Sequence, residues 1–252
     1  MAHHTSYHIT VLDEVDSTNL YLNRLLNADQ EVEEGTVIQT NYQTQGRGQV
    51  GNSWFANPKE RLLFSVLIQP TMVQPVNQFV ISRMISVAIQ QVLSEYVSGI
   101  KIKWPNDIYY GNNKVGGILI ENVLQGRQIV NSIVGVGLNV NQSSFPAGIP
   151  NPISLRQIVG HALEVEHLLQ QILGRFFSLY DILKANNDER FENLYKAHLY
   201  RLNERCWYRD EEGSFEGVIT DVLSTGHLEL ERLSTGERRL YAFKEIEFII
   251  EN

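Results

Sequence analysis

The 252-residue chain has one cysteine, Cys206, so no internal disulfide can form. Cys206 stands beside Trp207 and reads as a small buried hydrophobe. No uninterrupted apolar stretch reaches the roughly 18 residues of a membrane-spanning helix. The opening MAHHTSYHITVLDE lacks the basic segment and apolar run of a secretory signal. Positive charge is also short. Lys and Arg number 21 against 29 Asp and Glu, a net of −8, which argues against a surface built to collect nucleic-acid phosphates. It leaves room for a local cationic site serving one small anion. None of the seven histidines has zinc spacing, and Glu164 and His167 form a single Glu-x-x-His, without the second copy a di-metal bundle needs. These absences predict a cytoplasmic enzyme or binding protein with neither DNA nor membrane as partner.

What is present suits a sizeable core: 43% of residues are hydrophobic. Strand patterns at Ile9–Val11 and residues 36–40 flank Asp16-Ser17-Thr18-Asn19, which reads as an N-cap before the apolar spacing of Leu20, Leu22, Leu25 and Leu26. A strand over 61–68 ends at Pro70, and a helix with an apolar stripe from Phe79 to Leu93 follows. Strands over 100–104, 107–110, 114–123 and 128–140 are joined by short turns that demand antiparallel pairing. Helices are expected over 154–160, 164–185 and 188–203. From Glu204 the pattern changes to five short strands: 206–209, 217–223, 227–231, 239–243 and 247–250. The fold class is therefore α/β of the α+β type, a mixed, largely antiparallel sheet backed by helices, with a small C-terminal β-barrel. The expected boundary divides 1–203 from 204–252.

The segment QTQGRGQVGNSW, residues 43–54, contains a literal G-x-G-x-x-G. A dinucleotide site needs a helix after that loop and an acid about 20 residues on. Another apolar strand follows instead, and no acid lies near Thr71. The P-loop pattern fails as well, because no Gly-Lys-Ser/Thr occurs. The glycines still permit close backbone approach to a ligand, and Arg47 between them can fork onto a carboxylate or phosphate. Lys103-Trp104-Pro105-Asn106-Asp107 gathers a base, an aromatic, an amide and an acid in one connection. Lys114-Val115-Gly116-Gly117 and Gly135-Val136-Gly137-Leu138-Asn139 place glycines inside strands, where they have no packing value. A sheet with glycines on one face leaves a slot for a flat ligand.

In order and spacing these motifs resemble those of the biotin protein ligase (holocarboxylase synthetase) family: Asp16 to Asn19, Gly46-Arg47-Gly48 to Gly51 with Trp54, Lys103 to Asp107, Lys114 to Glu121, and Gly135 to Asn141. The similarity spans nearly the whole chain. It implies a mixed sheet with an SH3-like C-terminal barrel, and a two-step reaction. Biotin and ATP give biotinyl-5′-AMP and pyrophosphate; a lysine of a biotin carboxyl carrier protein then takes the biotin and releases AMP. Two anions meet in the first step, so the junction needs fixed positive charge. By resemblance Lys114 and Arg47 supply it as catalytic residues, and Mg²⁺ neutralises the departing pyrophosphate. Ser17, Thr18, Asn19, Gln43, Gly46, Arg47, Gly48, Gln49, Lys114, Gly116 and Gly117 are the implied biotin contacts. Trp54, Asn106, Asp107, Gly137 and Asn139 are the implied ATP contacts, with Asp107 the candidate metal ligand. The loop is implied to close over the adenylate, whose mixed anhydride water would destroy. A lipoate- or octanoyl-protein ligase and a non-catalytic biotin or nucleotide sensor are the alternatives; Arg47 and Lys114 together disfavour the sensor, since binding alone needs no charge at the junction. A homodimer is compatible with the sequence. The chain starts almost at the first catalytic strand, so a ligase without the family's DNA-binding domain is expected. Many family members carry a second loop arginine where this chain has Gln49, an amide that brings no charge. Gln49→Arg is expected to slow release of the adenylate measured in a chase with unlabelled ligand; unchanged release counts against a weakened electrostatic hold.

Overall fold

A computed structural model describes residues 5–28, 31–49, 60–185 and 189–250. Its elements, in chain order, are β1 (His8–Leu12), α1 (Thr18–Asn27), β2 (Thr36–Thr40), β3 (Arg61–Ile68), α2 (Phe79–Leu93), β4 (Ile100–Lys103), β5 (Asp107–Tyr110), β6 (Asn113–Gln125) and β7 (Gln128–Asn139). Then come α3 (Leu155–Val159), α4 (Val165–Lys184), α5 (Glu189–Ala197), β8 (Arg205–Asp210), β9 (Gly213–Val222), β10 (Leu228–Arg232), β11 (Arg238–Tyr241) and β12 (Glu247–Phe248). The described residues form a seven-stranded sheet in the order β1-β2-β3-β7-β6-β5-β4. Only its β1–β2 pair is parallel, because α1 intervenes as a crossover.

Strand periodicity gives this sheet two different faces. Leu62, Phe64, Val66 and Ile68 of β3 join Val134, Val136 and Leu138 of β7 in a large core with the apolar faces of α2 and α4. Among the described residues, α1 is the helix that packs on the opposite face. Leu22 of that helix packs on Ile38, Leu67 and Ile133. A ten-residue helix is only about 15 Å long, so α1 covers the end of the face where Leu67 pairs with Ile133. The pairs Leu63↔Gly137 and Arg61↔Asn139, at the other end, are left to line a cavity.

The C-terminal strands form a five-stranded antiparallel sheet, ordered β11-β10-β9-β8-β12, matching the five strands expected. Its apolar side chains Ile219, Val222, Leu228, Leu230 and Phe248 belong to the same continuous core as α2 and α4. Two polar contacts pin it further. The buried Arg83 of α2 donates to the carbonyls of Val222 (2.6 Å) and Leu223 (3.0 Å). Trp104 Nε1 donates to the Gly226 carbonyl at 2.8 Å. Gly226 has φ +90 and lies so close to Phe79 that a Cβ would stand 2.9 Å from its ring. The boundary expected at residue 203 thus falls between α5 and β8, yet the packing runs through it.

Two local expectations need correction. The helix expected over 188–203 stops at Ala197. The next residues are recruited to the edge strand β4: Ile102 N–H donates to His198 O, and Tyr200 N–H donates to Ile102 O. An edge strand's open hydrogen-bonding groups outcompete further helix. Ser17 occupies the N-cap position of α1 with extended backbone, but its side chain makes no cap hydrogen bond. By contrast Ser154 and Gln157 form a full capping box on α3, which ends at Gly160 in the left-handed region, φ +85.

Arg83→Met keeps the apolar stem but abandons two buried carbonyls. A loss of about 2–4 kcal/mol is expected, or a melting point lower by roughly 5–15 °C. A melting curve within about 1 °C of the parent would contradict this anchoring role.

Candidate active site

The uncovered half of the sheet face opens into a cavity of about 1010 Å³. Single small-molecule pockets usually hold about 300–1,000 Å³, so this one has room for two ligands in line. Its floor is a set of cross-strand rows. Ser65 pairs with Gly135 and Leu63 with Gly137, which also pairs with Gly117 of β6; Arg61 pairs with Asn139. Successive rows lie about 6.6 Å apart along the strands.

The first row is a neutral polar cluster beneath the start of α1. Gln43 Oε1 accepts from Thr18 N–H (2.8 Å) and Thr18 Oγ1 (3.1 Å). Ser65 Oγ lies 2.6 Å from both Thr18 Oγ1 and Asn19 Oδ1, its one proton serving one of them. Asn19 Nδ2 donates to Glu121 Oε2 at 2.8 Å, and the other oxygen of that carboxylate pairs with Arg47 at 3.2 Å. Ser17 is buried and also lines the cavity. With no capping bond to make, its hydroxyl is available to a ligand.

The middle row carries charge. Lys114 Nζ pairs with Asp107 Oδ1 at 2.7 Å. A Cβ on Gly117 would stand 3.5 Å from that ammonium nitrogen and 3.3 Å from Asp107 Oδ1, so the pair sits directly above a strand position with no side chain. Asn106 is tied to β6 through mutual hydrogen bonds with Ile118, which fixes the turn that presents Asp107. The Trp104–Pro105 peptide in the same turn is cis. Lys103 lies 4.4 Å from the Phe248 ring and 5.4 Å from Tyr109, and burial pushes its ammonium below the ordinary lysine value. In the last row, Asn139 Nδ2 donates to Lys114 O and Ile153 O, both at 3.2 Å. Asn139 Oδ1 is buried without a hydrogen bond.

The structure brings together most of the residues singled out from sequence. Ser17, Thr18, Asn19, Gln43, Arg47, Gly48, Gln49, Asn106, Asp107, Lys114, Gly117, Gly137 and Asn139 all line this cavity. Trp54 and Gly51 lie outside the described residues. Gly46 is outside the lining. Gly116 faces the other way: a Cβ there would meet Leu138 Cδ2 at 2.3 Å, so its role is packing. Gly135 lines the cavity but accommodates a neighbour, because a Cβ would fall 2.2 Å from Asn19 Oδ1. The expectation that strand glycines lack packing value therefore holds for neither Gly116 nor Gly135. Arg47 and Lys114 share the cavity, but each is held by its own carboxylate, Glu121 and Asp107. Sequence reasoning missed Ser65 of the neutral cluster and Arg61 in the lining, and with them Arg209 of β8 and Lys244 from the β11–β12 connection. Alternation along β3 was the available signal for the first two. Cations from Arg47, Arg61, Lys103, Lys114, Arg209 and Lys244 face Asp107 and Glu247 here, a local positive excess inside a protein of net −8.

The slot has a neutral polar end, an ammonium at its middle and a cationic far end, set in an α/β fold, with room for two ligands end to end. The chain belongs to the Biotin/lipoate A/B protein ligase family, whose model matches residues 11–139, and it is a ligase. It is 28% identical to the bifunctional ligase/repressor BirA of Bacillus subtilis, over 96% of this chain and 73% of that protein. Identity to the chloroplastic biotin–protein ligase 1 of Arabidopsis thaliana is 32%, over 76% of this chain and 50% of that one. The biotin protein ligase of Aquifex aeolicus in complex with biotin and ATP superposes with a TM-score of 0.75 at 27% identity, covering 93% of this chain and 98% of that one.

Gly135→Ala is expected to break the Asn19–Ser65–Thr18 cluster and lower the melting point by several degrees. Gly174→Ala, on the exposed face of α4 with nothing within 4 Å, is expected to raise it slightly. Equal effects from the two substitutions would contradict the packing assigned to Gly135.

Proposed function

We propose that this ligase joins biotin to ATP as biotinyl-5′-AMP and then transfers biotin to a lysine of a biotin carboxyl carrier protein. The observation that carries the reading is the Lys114 ammonium above Gly117, midway along a slot whose two ends differ in chemistry. The biotin ureido ring, flat and polar, suits the neutral end, where Ser17, Thr18, Asn19 and Gln43 offer hydroxyls and amides. The Arg47-Gly48-Gln49 segment forms part of the wall over it. The acid chain then runs toward Lys114, and the nucleotide occupies the end lined by Asn106, Asp107, Gly137 and Asn139.

In the first step a biotin carboxylate oxygen bonds to the α-phosphorus of ATP, and the bond from that phosphorus to the bridging oxygen of pyrophosphate breaks. Lys114 holds both anionic groups against their mutual repulsion, and Arg47 leaves Glu121 for the adenylate. In the second step the carrier's neutral ε-amine attacks the acyl carbon, AMP departs and an amide forms. Among the described residues no group of three or more His, Cys, Asp or Glu gathers. Mg²⁺ is commonly held by one or two carboxylates and the substrate's phosphates, and Asp107 fits that pattern for an ion arriving with ATP. Such an ion would neutralise charge on the leaving pyrophosphate.

The test is a mass shift on a biotin carrier domain, with biotin or lipoate, with and without ATP. An ATP-dependent gain of one biotin supports the reading, and transfer of lipoate in its place overturns it. Lys114→Ala is expected to cut labelling at least about a hundredfold while the protein remains folded; near-normal labelling removes Lys114 from the reaction.

A further inference from the structure

Arg61 is a lining cation to which the adenylation chemistry gives no role so far. It opens β3 and is 5% exposed, among the most deeply placed charges described. Its guanidinium stands 6.0 Å from the ring of Phe145, another lining residue. Its strand neighbours explain its direction: Arg61, Leu63 and Ser65 share one face of β3, and their partners Asn139, Gly137 and Gly135 share that face of β7. Ser65 belongs to the neutral cluster. Arg61, four residues away, is about 13 Å from it along the strand, beyond the Lys114 row.

Burial lowers the Arg61 pKa to about 10, against a smaller opposing effect from the neighbouring Glu60. A neutral amide would be enough to meet an uncharged base, and Asn139 already offers one in the same row. The loop residue Gln49, which also lines the cavity, is neutral. Arg61 instead places a fixed cation on the sheet, one row past the Lys114 row.

We propose that Arg61 is a nucleotide-positioning residue that binds the phosphates of ATP and takes no part in holding biotin. The inference rests on the ATP-dependent ligase reading above. A planar fork of donors suits two phosphate oxygens at once. On strand β3 the Arg61 backbone is fixed by pairing with Asn139. Lysine at this position keeps the charge and loses the fork.

The experiment compares the parent with Arg61→Gln and Arg61→Lys in the complete chain, following pyrophosphate release against ATP and against biotin separately. Adenosine and ATP are also compared as ligands in direct binding. Arg61→Gln is expected to raise the KM for ATP at least about tenfold, with the KM for biotin within about twofold and adenosine affinity unchanged; Arg61→Lys should recover part of the loss. Three results would overturn the proposal: an unaltered KM for ATP, parallel rises for biotin and ATP with a lowered melting point, or adenosine weakened as much as ATP. A parent enzyme that releases no pyrophosphate with biotin and ATP would sink the ligase reading itself, an outcome distinct from these.

Discussion

An ammonium above a strand position that has no side chain is the constraint on which the site depends. Lys114 lies on β6 itself and its Nζ comes back over Gly117, where it meets Asp107 from the neighbouring strand β5. A Cβ at residue 117 would press on Asp107 Oδ1 at 3.3 Å and touch the ammonium at an ordinary van der Waals distance, 3.5 Å. Two strands supply the charges and the middle row of the floor supplies the space. The ammonium is therefore fixed to the sheet before any ligand arrives, which is the condition under which a charge stabilises a developing anion without reorganising.

The remaining architecture follows from how little of that sheet face is covered. Helix α1 stops short, leaving the rows of Leu63 and Arg61 to the cavity. The start of the same helix, through Thr18 and Asn19, forms the neutral end of the slot. Glu121 links this end to the loop, since one of its oxygens holds Asn19 and the other Arg47. Arg47 thus rests on a carboxylate, and under the proposed reaction an anionic ligand would take the place of that carboxylate. Phe248 of the second sheet, with Phe243 and Lys244 from the β11–β12 connection, closes the far wall. Trp104, bonded to Gly226, ties that wall to the turn presenting Asp107.

Much of this was legible in the sequence, for identifiable reasons. Strands β3 to β7 are bounded by turn residues, and the helices α2 and α4 carry apolar stripes, so their types followed from periodicity. The ordered motifs marked the residues that line the cavity. What escaped needed tertiary information. The end of α5 is set by the backbone of β4. Gly116 and Gly135 looked like ligand clearances, but Leu138 and Asn19 fill those spaces. Ser17 read as a cap, yet its helix forms without that bond. Arg61 has no motif around it. Its importance comes from facing Asn139 across two strands, a pairing that local pattern does not specify.

The central claim is that Lys114 stands where the acid and the nucleotide meet. A crystal structure of the protein with biotin and a non-hydrolysable ATP analogue measures it directly. The account predicts Lys114 Nζ within about 3.2 Å of both a carboxylate oxygen of biotin and an oxygen of the α-phosphate. An ammonium that stays on Asp107, more than about 6 Å from either group while both ligands are bound, would contradict it.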